Sequence, residues 1–263
     1  MRADAFPLRQ GELVESPVAD AGVPLAELVE WRERLGLVAG VTARGAHPPP
    51  FSLALRAPSE PAETILERFR SFRHAMQPGF TALQMAHQVH GTAVAWHAGV
   101  GPGFHVRDAT DGHATREPGL LLAVSVADCV PVYLAARDGR AWALLHAGWR
   151  GTAAGVLEQG LDALRRHARV VPEDVVVHLG VAICRSCYEV GPEVIRAIEG
   201  RDVSGPARLD LRATLARRAV AAGVREISVS PLCTACDRDR FFSHRGSGGD
   251  GARQLAYLGR PNR

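Results

Sequence analysis

The sequence predicts a mixed α/β (α+β) fold built as a single domain over residues 1–263. Three observations carry this expectation. Apolar runs of strand length recur through the centre of the chain. Helical stretches are interspersed with them. No internal repeat and no linker-like stretch divides the 263 residues.

Residues 12–45 are mixed and Pro-bearing, ending in Gly40-Val41-Thr42-Ala43-Arg44. Pro48-Pro49-Pro50 reads as a loop with polyproline character. Pro61 opens a helix over 61–76, with Ile65, Leu66 and Phe69 apolar. A strand-like run is expected around Gln88-Val89-His90, and a loop over the Gly-, Asp- and Thr-rich stretch 98–117. Leu120–Val126 reads as a buried strand. Val130–Ala135 and Ala141–Leu145 read as a hairpin around Asp138-Gly139, with Arg137 opposite Arg140. A helix is expected from Gly151 to about Arg166, with Thr152 as its cap. Val175–Val181 and Ile227–Val229 read as strands, residues 189–199 and 209–222 as helices, and Phe241–Gly251 as a Gly-, Ser- and Arg-rich tail.

Composition excludes several functions. All 31 basic residues are Arg, so no lysine is available for a Schiff base or a Walker-A loop. The bias reads as that of a GC-rich genome. The single Asn, Asn262, forms no glycosylation sequon. A net charge of +3 without a basic cluster argues against a nucleic-acid partner. No apolar run reaches the ~18 residues of a membrane span, and the first residues lack a signal-peptide core. Five Cys are too few for a disulfide scaffold, so the expected setting is cytoplasmic, with reduced thiols.

Two motifs, Cys184-Arg185-Ser186-Cys187 and Cys233-Thr234-Ala235-Cys236, together resemble a four-Cys zinc site. The gap between them is far longer than the roughly 15–20 residues of a zinc ribbon, which favours buried or incidental thiols. His90, Cys129 and His146 form a stronger set, each at the end of an apolar run. The hairpin register places Pro131 opposite His146 and makes Cys129 its diagonal neighbour on one face. Pro131 has no N–H, so the ladder is expected to end or bulge there. Two imidazoles and a thiolate suit zinc with an open fourth position. They equally suit a metal-free Cys–His nucleophile pair, or no function. Asp128 adjoins Cys129 on the opposite face. Arg150, just before a helix, and Arg245, after Phe241-Phe242, are candidate anion ligands. His113 lies in an expected loop from which it could reach a site.

At these residues the chain resembles a known family. Gln88-Val89-His90-Gly91, Asp111-Gly112-His113-Ala114-Thr115, Ala127-Asp128-Cys129-Val130-Pro131-Val132 and His146-Ala147-Gly148-Trp149-Arg150-Gly151 occur in order. Cys187-Tyr188-Glu189-Val190-Gly191, Cys233-Thr234 and Phe242-Ser243-His244-Arg245 follow. The set is similar to the YfiH, or laccase-domain, family, once called multicopper polyphenol oxidases, from about residue 40 onward. The resemblance implies layered mixed sheets flanked by helices. It implies zinc at His90, Cys129 and His146, with Cys129, His146 and Asp128 in catalysis. It also implies phosphorolysis of purine nucleosides, methylthioadenosine included, with adenosine deamination as a companion. Arg44, Arg68, Arg150, Arg245 and His113 are then candidates to hold nucleoside and phosphate. The expected assembly is a monomer or small homo-oligomer.

The chain departs from the family pattern in carrying Ala54 and Glu67 where asparagines are usual, both in the part expected to form the substrate pocket. Gly180-Val181-Ala182-Ile183-Cys184 likewise replaces the usual Gly-Pro-x-Ile-Gly. Three other readings stand beside the phosphorylase. Copper could take the N/S site, although a multicopper oxidase needs many paired His ligands. Cys129 and His146 could instead work as a hydrolase or amidase on peptidoglycan precursors. The lost asparagines also allow a binding protein with degraded activity.

Overall fold

Strands that are apolar on both faces need cover on both sides, and this fold supplies it by stacking two sheets between helices. The computed structural model describes residues 13–19, 21–45, 50–55, 60–77 and 79–262. In chain order it begins with β1 (Ser16–Pro17), β2 (Leu25–Glu27), α1 (Val29–Leu35), β3 (Val38–Thr42), α2 (Ala62–Met76), β4 (Ala82–His87), β5 (Val94–His97), β6 (Gly103–Asp108), β7 (Gly112–Thr115) and β8 (Leu120–Val126). It continues with β9 (Val130–Ala136), β10 (Trp142–Ala147), α3 (Trp149–Ala154), α4 (Val156–Ala168), β11 (Val175–Leu179), β12 (Glu189–Val190), α5 (Pro192–Glu199), β13 (Ala207–Arg208), α6 (Leu211–Ala221), β14 (Glu226–Val229) and β15 (Gln254–Gly259).

Of the two large sheets, one runs β1-β2-β3-β15-β8-β4-β6 and the other β14-β11-β9-β10-β7-β5; both are mixed, and β12 and β13 form a separate antiparallel pair. Leu122, Val124, Trp142, Leu144, Ala256 and Leu258 fill the space between the two large sheets. Tyr133 ties the layers together, donating its hydroxyl to the Gly40 carbonyl at 2.8 Å. Phe69 and Phe72 of α2 cover the outer face of the first sheet against Leu83 and Tyr257. Leu157, Leu161 and Leu164 of α4 and Leu215 of α6 cover the second against Val132, Leu134 and Val177. No helix of the described residues is long and apolar enough to cross a membrane.

The hairpin register matches expectation, with Trp142 opposite Ala135 and His146 opposite Pro131. The ladder continues through Pro131 to the pair Ala147–Val130 rather than ending there. Pairing closes at Ala136 and Ala141, so four residues, 137–140, make the turn instead of two. Ala136 N–H donates to Ala141 O at 2.8 Å, and Gly139 sits at φ +68°.

Other expectations need correction. Gln88–His90 is the turn after β4, not a strand, and His90 adopts φ +60°. Residues 98–117 contain β6 and β7, because parallel pairing with β4 and β5 overrides their loop-like composition. The helix expected from Gly151 starts earlier, at Trp149, and Gly155 at φ +98° divides it into α3 and α4. Thr152 therefore lies inside α3 and Arg150 in its first turn. Helix α1 and the central strand β15 went unread. Pro48 and Pro49 lie outside the described residues.

Candidate metal centre and its cavity

Three segments meet where the sheets open. The Gln88–Gly91 turn carries His90, the residue before β9 is Cys129, and β10 delivers His146. One donor atom from each of the three lies within 4.8 Å of the other two. The imidazole rings of His90 and His146 meet edge to face, 4.7 Å between centroids. Backbone strain gathers here: His90 and Asp128 are two of the few non-glycine residues at positive φ among those described. Gly148 allows the approach, since a Cβ there would stand 2.9 Å from His90 Cδ2 and 3.0 Å from Cys129 Sγ.

Asp111, fully buried, organises the cluster. Its carboxylate accepts from His146 Nδ1 at 2.9 Å and from the amides of Val89, His90 and Gly91 at 3.2, 2.9 and 2.7 Å. A carboxylate only accepts here, so the bond fixes a proton on Nδ1 and leaves Nε2 for a ligand. Burial pushes the Asp111 carboxyl up, but the His146 and amide hydrogen bonds outweigh it and hold it below its ordinary value. Burial likewise raises the Cys129 thiol, yet His146 and His90 bring it down to about 6. Burial lowers His146, while Cys129 and Asp111 raise it to about 9. Without a metal, the pair is a thiolate beside an imidazolium. A two-imidazole, one-thiolate donor set, with one imidazole held by a carboxylate, fits zinc and leaves one coordination position open.

The cluster forms one wall of a cavity of about 560 Å³. Met85, Gln88, Trp149, Tyr188, Arg150, Arg245 and Arg253 also line it. Burial and the Cys129 charge hold the Tyr188 phenol up at about 12, so it stays protonated. Arg245 spends one nitrogen on the Glu189 carbonyl at 2.8 Å, and Arg150 lies over the Trp149 ring.

Of the residues singled out in the sequence, His90, Cys129, His146, Asp128, Arg150 and Arg245 come together at this cavity. Asp128 has both carboxylate oxygens engaged, by Thr234 Oγ1 at 2.6 Å and the Arg245 amide at 2.7 Å. These bonds anchor the turn before Cys129. Arg44, Arg68 and His113 do not line the cavity. Arg44 stacks over Phe242 beside a separate cleft of about 760 Å³. Arg68 is buried and held bidentately by Glu60 at 2.6 and 2.7 Å. His113 is fully buried on β7, its Nδ1 2.9 Å from His97 Nε2, and burial holds it at about 3. Of the two departures, Ala54 lines the cavity, whereas Glu67 sits on the exposed face of α2.

Sequence reasoning missed Asp111 and Arg253. Asp111 opens the Asp111-Gly112-His113 motif, and no spacing in the sequence links it to His146, 35 positions away. Arg253 belongs to no motif and reaches the cavity only because β15 returns beside β8.

The family model described as multi-copper polyphenol oxidoreductase laccase matches residues 43–260. "Purine nucleoside phosphorylase YlmD" of Geobacillus stearothermophilus is 38% identical over 163 residues, 57% of this chain and 60% of that protein. The match thus spans about three fifths of that relative's length. "Purine nucleoside phosphorylase YfiH" of Escherichia coli K12 is 30% identical over 82% of this chain and 91% of its own. The crystal structure of YlmD from Geobacillus stearothermophilus superposes with a TM-score of 0.84 at 28% identity, covering 94% of this chain and all of that one.

Proposed function

The chain belongs to the multi-copper polyphenol oxidoreductase laccase family, whose relatives include YfiH and YlmD, and we propose that it is a zinc-dependent purine nucleoside phosphorylase. One observation carries this reading: a two-His, one-Cys donor set and three arginines face a single cavity of about 560 Å³. That volume suits a ligand of nucleoside size. His90, Cys129 and His146 would hold the zinc, which when bound supplies a Lewis acid.

The chain's own residues do the rest. Arg150, Arg245 and Arg253 surround the cavity with positive charge that holds phosphate; with no lysine in the chain, the anion meets planar guanidinium forks instead. Trp149 and Tyr188 add aromatic surface to the cavity wall for a purine to pack against. Phosphate held by the arginines attacks the ribose C1′, the bond to the base breaks, and ribose 1-phosphate and free base leave. Asp111 keeps His146 oriented throughout, and Asp128 keeps Cys129 at its strained entry to β9. Adenosine and inosine are the expected substrates, with methylthioadenosine and adenosine deamination as companions. We place this activity in the cytoplasm, in a single-domain monomer or small homo-oligomer.

A second reading rests on the Cys129–His146–Asp111 series, the nucleophile, base and orienting-acid order of a thiol amidase. One assay separates the two. Wild type and Cys129→Ala are incubated with adenosine or inosine, with and without phosphate. Base and ribose 1-phosphate formed only with phosphate, and only by wild type, is the expected result. Metal-free protein that cleaves an amide through Cys129 would overturn it in favour of the amidase.

A further inference from the structure

The two Cys-x-x-Cys motifs, so far apart in the chain, meet in the fold. Strands β11 and β14 run parallel as neighbours, and both motifs follow them on the same end of the sheet. Beyond the strands, Ala182 and Cys233 form an isolated parallel bridge that fixes the approach. Each motif closes a turn, through Cys187 N–H to Cys184 O and Asp237 N–H to Cys233 O, both at 3.0 Å.

The four sulfurs lie within 4.8 Å of one another. Cys236 Sγ is 3.4 Å from Cys187 Sγ and 3.9 Å from Cys184 Sγ. Four sulfurs bound tetrahedrally to one ion at about 2.3 Å would stand about 3.8 Å apart. These separations are far beyond a disulfide bond. Apolar burial does not explain the cluster either: only Cys233 is buried, and Cys236 is exposed. The Cys184 amide points at Cys233 Sγ, 3.2 Å away, a contact that favours thiolate over thiol.

We propose that Cys184, Cys187, Cys233 and Cys236 bind a second, structural zinc ion. The site is closed, with all four ligands from protein, in contrast to the open donor set at Cys129. Its place in the fold gives it a task. The first motif runs directly into Tyr188, which lines the cavity. The second contains Thr234, the partner of Asp128, and leads on to His244 and Arg245. An ion between the motifs staples two walls of the cavity together.

Elemental analysis of protein purified from zinc-supplemented cells tests this. Wild type is expected to hold two zinc ions per chain, His90→Ala one, and Cys187→Ser one. A single zinc that survives His90→Ala and disappears in Cys187→Ser also supports the four-Cys site, whatever the state of the first. Zinc abolished by His90→Ala alone, or iron in place of zinc, overturns it. Should Cys187→Ser fail to fold, iodoacetamide labelling of wild type decides. Exposed Cys236 is expected to resist alkylation until a chelator is added. Prompt labelling before chelation, or a disulfide between the motifs, overturns the proposal.

Discussion

Asp111 does for the two histidines what neither strand could do alone. Its carboxylate bonds the ring of His146 and three consecutive amides of the turn bearing His90, so one buried charge sets both imidazoles. Asp111→Asn keeps the shape and removes the charge. It should weaken zinc binding about 10–100-fold, read by competition with a chromophoric chelator; unchanged affinity would remove Asp111 from this role. Glu15 is a second buried carboxylate, bonded by Ser230 at 2.6 Å and the Val181 amide at 2.9 Å, with His178 at 3.3 Å. Burial pushes it up, but His178 and Ser230 hold it below the ordinary 4.5. A depressed folded value means stability that is present above 4.5 and lost as pH falls through the folded value. Glu15→Gln should therefore cost ~1–3 kcal/mol at neutral pH, with the deficit shrinking in acid. Urea midpoints of the two proteins across pH check this, and a constant gap would mean that the carboxyl titrates alike in the folded and unfolded chain. At this scale the closeness of Cys129 and His146 was legible in the β9–β10 register, whereas His90 joins them from a turn where a strand was expected. The four-Cys site was not, because a rule built on short gaps cannot anticipate the β11–β14 pairing that closes a long one. Arg68, a candidate from the family resemblance, is instead paired with Glu60, a residue outside every motif, so its engagement could not be read from sequence.

Elements were legible where hydrophobicity is continuous. The burial of β8, β9 and β10 is nearly complete, and their bounds follow the apolar runs. They were opaque where a partner supplies the stability: β6 and β7 are polar or Gly-rich and hold through parallel neighbours. The β9–β10 connection shows how register can survive a wrong loop length. Adding a residue to each side of a turn keeps every pair downstream. Gly139 carries that turn at φ +68°, and a Cβ there would collide with the Leu35 carbonyl and the Arg260 side chain. Gly139→Ala should lower stability by ~1–3 kcal/mol without changing zinc content. Denaturant titration and metal analysis of the same preparation measure both; an unchanged midpoint would show that the turn relaxes freely.

Across the whole molecule the decisive element is β15. It lies between β3 and β8, antiparallel to both, and carries Tyr257 and Leu258 into two different core layers. A short strand after a Gly-rich tail gave no signal of this central place. Ending the chain at Arg253 should therefore abolish cooperative unfolding, not merely fray an edge. Circular dichroism of the truncated chain checks this, and a sharp transition would contradict it.

The same strand sets a timetable for synthesis. The Leu255 amide bonds the Thr42 hydroxyl, 213 positions earlier in the chain. At ribosomal rates of about 5–20 residues per second, β3 leaves the exit tunnel roughly 10–40 s before its neighbour exists. Through that interval β3 has unpaired N–H and C=O groups on the side that β15 will take, and β8 joins it with an open edge once it is made. Those open edges invite pairing with other nascent chains. A holding chaperone is thus expected to matter most for this protein late in translation, just before β15 emerges.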